Sequence, residues 1–451
     1  MLGFETIGNA TLICHDDRPV LVTDPWITDS AYFGSWGMSH DIPPAQREHI
    51  HAADYVWFSH GHPDHLNGES LPAFSGRKIL LPDHRGGRIL KGFRDQGFNA
   101  SVLKDRTWTR LSPNIEVFCL ADYYQDAILL IRIGKRLVMN LNDAAERGWN
   151  RTLRAIARRH PDSYLLKISG YGDADMINLF DENDARIEPW ASRRFPVGTT
   201  LARSAAALGA NHVIPFSSFH RYRRTDSLWA EQYTTPLTAY PEGFDLPGTE
   251  ILPAFVRVDC MSGEVRPIEP PLVDATPRSP ESCGDHWNDR LTNEDRNVLR
   301  AYFVRKRLLH RWLRFLQFRV GGEDFTVDLN RFRKGGITFE VPRHSLMTAV
   351  NEEVFDDLLI GNFMKTTLRG IDSLYPYFTP PVAKYGDNGR VQSQAEVLRY
   401  FAHYLLRNPL DLALHEIETQ ASFQFHLRIP KDARLFSAAK RAYYFLKLLS
   451  P

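Results

Sequence analysis

The run FSHGHPDHLNG, residues 58–68, constrains this chain more than any other stretch. It sets His60, His62, Asp64 and His65 within six positions, directly after the apolar segment YVWFS. That segment reads as a strand, so the motif falls in the turn at its end. Four donors spaced H-x-H-x-D-H in such a turn can converge on one or two metal ions. Imidazole suits zinc and iron, and the carboxylate adds charge and can bind a second ion or orient water.

The rest of the chain supplies the setting. Apolar, β-rich runs at 18–26, 53–60, 77–82, 115–122, 127–134 and 135–143 are bounded by Gly, Pro, Asp and Asn, which marks them as strands. AILLIRIGKRLVMNLND reads as a hairpin about Gly134-Lys135, and residues 149–160 have helical spacing. A further helix leads into a short buried strand over residues 212–216. Strands interleaved with helices predict α/β layers over residues 1–270. Residues 271–290, rich in Pro, Ser and Asp, read as a linker. Residues 291–451 read as a smaller α+β domain. Within it a helix is predicted over 292–318 with Thr292 as N-cap, then a strand pair near 324–330 and 336–342. Further helices are predicted over 343–365 and 393–407. The basic, apolar stretch 304–315 is expected to pack its Leu, Trp and Phe face into a core.

Composition narrows the function classes. A net charge of +1 gives no global electrostatic argument for nucleic acid or an acidic membrane. No apolar run is long enough for a transmembrane helix, and the first residues lack a basic signal-peptide region. Cys14, Cys119, Cys260 and Cys283 follow no metal or disulfide spacing, so inert thiols in a reducing, cytoplasmic setting are expected.

A strand ending in Asp24, followed by H-x-H-x-D-H, resembles the metallo-β-lactamase superfamily over roughly the first 240 residues. The resemblance implies an αββα sandwich. It implies that His60 and His62 hold one metal and that Asp64 and His65 hold the other. Asp143, after the hairpin, matches the family's bridging aspartate. Asp122 stands where the family has a third histidine for the first metal. His220, with His212 as the alternative, matches the last ligand. Replacing histidine by the carboxylate Asp122 adds negative charge and hard oxygen ligation, which favours two irons over two zincs.

Several blocks also resemble the CMP-N-acetylneuraminate hydroxylase family: LVTDPWITDSAYFGSWG, FSHGHPDHLN, DAILLIRIGKRLVMNLNDA, KISGYGDADMINLF, IPFSSF, NEEVFDDLLIGNFMKTTLRG and FQFHLRIP. That family carries a Rieske module, C-x-H…C-x-x-H, and no such motif occurs here. An oxygenase built on this chain is therefore expected to take electrons from a separate protein. Candidate substrate contacts are Asp173 in the Gly-rich GYGDAD and the arginines of HRYRR, Arg221, Arg223 and Arg224, whose forks suit phosphate or carboxylate. Plain turns and solvated basic loops fit the same residues, and Arg193 and Arg194 are a weaker case of the same kind. Two functions fit. One is a di-iron oxygenase hydroxylating a small molecule or a carrier-linked substrate such as a sugar nucleotide. The other is a dizinc hydrolase of a phosphodiester, lactone or amide, with Asp64 orienting a hydroxide and Asp143 bridging the ions. A scaffold with a degenerate site sits poorly with the intact motif.

Overall fold

The computed structural model describes residues 1–415 and 417, apart from 29, 145, 147, 169–175, 194, 195 and 275. Asp173 and Arg194 therefore lie outside the described residues, as does the block FQFHLRIP.

Two sheets face each other. Among the described residues the first has eight strands, in the spatial order Val265–Pro267, Val256–Asp259, Leu2–Ile7, Thr11–Asp16, Arg18–Thr23, Tyr55–Trp57, Lys78–Leu81 and Ala100–Val102. The second has seven, in the order Glu250–Ile251, His212–Phe216, Ser163–Ile168, Arg136–Asn142, Ala127–Ile133, Ile115–Ala121 and Thr109–Arg110. Side-chain alternation explains the layering. In Ile115–Ala121, Ile115, Val117 and Cys119 point into the space between the sheets. Phe118 and Leu120, one residue out of phase, point the other way. Phe4, Leu12, Leu21 and Trp57 close the inner core from the first sheet. A strand buried on both faces reads as an unbroken apolar run, which is why the hairpin was so plain in the sequence.

Helices cover both outer faces. Ile50 of Pro44–Ala52 and Phe93 of Arg88–Asp95 pack with Ile13, Val22 and Ile79 on the first sheet. Leu153 of Asn150–Ala157 and Leu201 and Leu208 of Val197–Leu208 cover Leu130, Met139 and Leu165 on the second. The layers are helix, sheet, sheet, helix: the αββα sandwich expected of residues 1–270. The strands Arg18–Thr23, Tyr55–Trp57 and Lys78–Leu81 run parallel, as do Arg136–Asn142, Ser163–Ile168 and His212–Phe216. Parallel strands share one carboxyl edge, where ligands bind in open α/β sheets.

The C-terminal part forms a five-stranded sheet among the described residues, ordered Leu179–Phe180, Lys365–Arg369, Gly335–Glu340, Leu313–Val320 and Glu323–Asp328. Its outermost strand, Leu179–Phe180, comes from the first part of the chain. Thr292 caps the helix Asn293–Val304 in a full capping box with Asp295. That helix stops at Val304, and the expected continuation to 318 is wrong. Leu313, Leu316, Phe318 and Val320 are buried while Arg314 and Arg319 are exposed, so sheet pairing overrides the local helical pattern. The new strand also corrects the expected pair, because it lies between Glu323–Asp328 (antiparallel) and Gly335–Glu340 (parallel). The single helix expected over 343–365 is two, Arg343–Asn351 and Phe355–Ile360, separated at Glu353 with φ of 57°. Among the described residues no helix is long and apolar enough to cross a membrane.

One buried ion-pair hub joins these parts. Arg224 is 0% exposed. Its Nε and Nη2 donate to Asp226 at 2.9 Å each, and Nη1 donates to Asp285 at 2.6 Å and to the Phe33 carbonyl at 3.1 Å. Asp285, inside the stretch read as a linker, also accepts Ser345 N at 2.9 Å and Ser345 Oγ at 2.6 Å. Breaking one side of such a pair strands a charge away from water. Asp285→Ala is therefore expected to cost about 3–5 kcal/mol in urea unfolding. Arg221→Ala removes a half-exposed pair with Glu231 and is expected to cost less than about 1 kcal/mol in the same measurement.

Candidate metal centre

The carboxyl edges of both sheets converge on one cluster. Asp24 follows Arg18–Thr23, and its Oδ1 accepts Ser59 N at 2.7 Å, tying down the start of the His60–His65 turn. The turn closes on itself through His65 N and Leu66 N, which donate to the His62 carbonyl at 3.0 and 2.7 Å. Asp143 follows Arg136–Asn142 on the opposite sheet and accepts Ser217 Oγ at 2.5 Å. Asn9 bridges the sheets. Its carbonyl accepts Ser217 N at 3.0 Å, its Oδ1 accepts Phe219 N at 2.8 Å, and its Nδ2 donates to Asp64 Oδ2 at 2.9 Å.

The donors fall into two adjoining groups. In the first, His60 Nε2 and His62 Nδ1 lie 3.0 Å apart. In the second, His65 Nε2 lies 3.4 Å from Asp64 Oδ2 and 3.3 Å from Asp143 Oδ2. One donor atom each from His60, His65 and Asp143 falls within 4.8 Å of the others. The outward nitrogens are also engaged: His60 Nδ1 sits 2.9 Å from Ser59 Oγ, and His65 Nδ1 sits 3.1 Å from Asp24 Oδ2. Tyr32 Oη donates to the remaining oxygen of Asp64 at 2.5 Å. Orientation of ligating histidines by a second hydrogen bond is the rule in metal sites.

His220 lies flat on Trp36, with ring centroids 3.4 Å apart and planes 1° from parallel. Both its ring nitrogens are buried with no hydrogen-bond partner, and it senses the charges of Asp64 and Asp143. A buried orphan donor or acceptor costs about 1–3 kcal/mol, so a ring in this position fits a metal ligand. His212 is elsewhere, at the start of its strand, with Nε2 3.1 Å from Asp162. It takes no part in this cluster.

Asp122 lies in the turn that follows the strand Ile115–Ala121. Its Oδ1 accepts Tyr124 N at 2.8 Å and Asp126 N at 3.0 Å, holding the turn 122–126 in shape. Asp126, in the same turn, and Asp143 both act on His60 through their charge. Sequence reasoning passed over Asp126, whose only signal was a second Asp four residues along the same turn. It also missed Tyr32, Asn9 and Asp356, the last lying 3.2 Å from His62 Nε2.

Two arginines of the cluster, Arg221 and Arg224, pair with acids of the protein itself. Arg224 is consumed by the buried hub, because a fully buried guanidinium must be paired; this corrects its assignment to substrate. Arg221 pairs with Glu231. Arg223 runs along the open face of Gly37. Arg193 lies over the Trp190 ring at 4.0 Å. Asp24, Tyr32, Asn142 and Ser217, which bond to these donors or adjoin them, have positive φ. Such backbone is uncommon for these residue types and concentrates at functional sites.

Electrostatics prepares these groups to bind cations. Burial, then the neighbouring His65 and His62, pushes His60 down to about 3. Burial likewise takes His220 to about 3. Both rings are neutral at pH 7, with lone pairs available. Burial alone would raise Asp64 and Asp143, but the adjacent His65 overcomes it and holds both below the usual carboxylate range. His65, flanked by those carboxylates, is raised well above its ordinary value despite its burial. Neutral imidazoles and ionised carboxylates converging in a buried pocket are the donor set of a metal-dependent enzyme.

No family model matches the chain. It is similar to the inactive cytidine monophosphate-N-acetylneuraminic acid hydroxylase of Homo sapiens, 24% identical over 132 residues, which is 27% of this chain and 26% of that protein. It is 27% identical over 177 residues to a Mycobacterium tuberculosis protein described as a Rieske 2Fe-2S iron-sulfur protein, covering 37% of this chain and 34% of that one. The matched stretches thus span well under two thirds of either relative. A metallo-beta-lactamase fold protein from Bacillus subtilis superposes with a TM-score of 0.31 at 11% identity, over 56% of this chain and 92% of that one. The remote resemblance to the hydroxylases, seen in the quoted blocks, is thus found in the sequence comparison as well.

The shifted histidines set the acid stability of the metal-free chain. His60 and His220 stay neutral down to about pH 3 when folded, yet bind protons near pH 6.5 once unfolded. The unfolded state then holds more protons, so these two groups make stability fall as pH drops from 6.5 toward 3. His65 acts in the opposite sense: its contribution is complete below 6.5 and is lost as pH rises through its raised folded value. The urea midpoint of the chelator-stripped chain is expected to fall between pH 6.5 and 4, and His220→Gln is expected to flatten that slope. An unchanged slope in the variant would remove His220 from the account.

Proposed function

We propose that this chain is a non-haem oxygenase holding two metal ions, iron rather than zinc, that hydroxylates a small-molecule or carrier-linked substrate such as a sugar nucleotide. The observation that carries the proposal is the acid-rich donor set. Asp126 and Asp143 are the carboxylates whose charge acts on His60, and an Asp143 oxygen falls within 4.8 Å of donor atoms of both His60 and His65. Hard oxygen donors and added negative charge favour iron, including its oxidised state. The similarity to hydroxylases supports the same reading.

In this reading His60, His62 and Asp126 would hold one ion, Asp64, His65 and His220 would hold the other, and Asp143 would serve both. Bound iron supplies the capacity to activate oxygen. The chain's own groups do the rest. Tyr32 and Asn9 fix Asp64, Ser217 fixes Asp143, and Trp36 walls the His220 side and keeps water out. Electrons for such a reaction would be supplied by a donor group outside this site. Four unpaired cysteines fit a cytoplasmic setting. A second reading, a dizinc hydrolase of a phosphodiester, lactone or amide, draws on the way Tyr32 and Asn9 orient Asp64. A carboxylate so fixed can hold and aim an attacking water.

Elemental analysis of the protein from cells supplied with both metals separates the two. About two irons per chain are expected, shifting toward zinc in Asp126→His, with oxygen uptake when a chemical reductant is added. Two zincs in both proteins and no oxygen uptake would sink the oxygenase and leave the hydrolase.

A further inference from the structure

The two histidines that lead the two donor groups are backed in the same way from opposite ends of the chain. His65 turns Nε2 toward Asp64 and Asp143 and rests Nδ1 against Asp24 Oδ2 at 3.1 Å. His62 turns Nδ1 toward His60 Nε2 and rests Nε2 against Asp356 Oδ2 at 3.2 Å. Each ring therefore has one nitrogen facing the metal position and the other on a carboxylate. A carboxylate placed this way fixes the tautomer and the ring plane, and it strengthens the ring as a donor. Asp24 lies at a strand end of the sandwich itself. Asp356 lies in the helix Phe355–Ile360 of the C-terminal part, 294 residues from its partner.

The helix is held against the centre by bonds on both sides. Ser35 Oγ donates to the Gly361 carbonyl at 2.5 Å, Trp229 Nε1 to the Asn362 carbonyl at 2.9 Å, and Asn362 Nδ2 to Tyr222 Oη at 2.8 Å. At its other end Arg88 Nη2 donates to the Glu352 carbonyl at 2.7 Å. Ser35 neighbours Trp36, on which His220 lies, and Tyr222 is on the His220 strand. Phe355 anchors the helix in the C-terminal core. Asp356 is thus held on a rigid element aimed at His62.

We propose that Asp356 is a positioning residue for the metal held by His60 and His62, so that the C-terminal part completes the metal centre. The inference rests on the metal-centre reading and holds for iron or zinc alike. Asp356 acts through the His62 ring, and its loss is expected to weaken one ion selectively.

The test uses the full-length, metal-free chain titrated with Co(II), whose visible absorption reports each site, against a competing chelator. Two ions are expected in the unaltered protein. Asp356→Asn is expected to weaken one of them by about 10–100-fold and to shift its absorption band, leaving the other unchanged. Asp24→Asn is expected to weaken the other ion instead, and Asp356→Glu to restore part of the lost affinity. Two ions bound with unaltered affinity in Asp356→Asn would overturn the positioning role while leaving the metal centre standing. Equal weakening of both ions, together with a lowered urea midpoint, would reduce Asp356 to a structural residue. No Co(II) bound by the unaltered chain would overturn this inference and the metal-centre reading together.

Discussion

The charge arrangement around His65 is the constraint on which the rest depends. Asp64 and Asp143 are ionised on either side of its Nε2, with Asp24 behind its Nδ1. Charges removed from water are tolerable only when each finds a partner and its remaining lone pairs find donors. No single strand can provide all of this. Asp24, Asp64 and His65 come from the edge of one sheet, and Asp143 and Ser217 from the edge of the other. The parallel strands must therefore end at the same height, and Asn9 must cross between the sheets to hold both. The sandwich can be understood as the scaffold that makes this meeting possible.

Much of this was legible in the sequence, for a physical reason. A turn dense in imidazole after an apolar strand has few other uses, and strands buried on two faces leave long apolar runs. His60, His62, Asp64 and His65 were named from such signals, Asp143 and His220 from the superfamily resemblance, and the structure sets the first four and Asp143 close together. Asp126 and Asp356 were not named. The two aspartates share one turn, and only the folded turn shows that the backbone amides of Tyr124 and Asp126 take one oxygen of Asp122. Asp356 reaches the centre only because two distant parts of the chain dock, and no local pattern encodes a contact across 294 positions.

The misread Arg224 and the misread helix share one cause. HRYRR offered guanidinium forks, but residue type says nothing about which acid will take them. Glu231, Asp226 and Asp285 do so inside the protein. The segment 305–318 mixes basic and apolar residues in a way that satisfies either a helix or a strand. From Leu313 onward the neighbouring strands on both sides decide the matter by supplying backbone partners. In each case a tertiary partner settles an ambiguity that the local sequence leaves open.

The bond from Ser35 to Gly361 has a consequence for how the chain is made. The two residues are 326 positions apart. As the chain leaves the ribosome, the sandwich strands and the His60–His65 turn emerge long before the residues that brace them. The loop carrying Ser35 and Trp36 must wait through the synthesis of more than three hundred residues before its last hydrogen-bond acceptor exists. Contacts of such separation form late. The nascent protein thus passes through a period in which its imidazoles and carboxylates have been made but the residues that brace them have not.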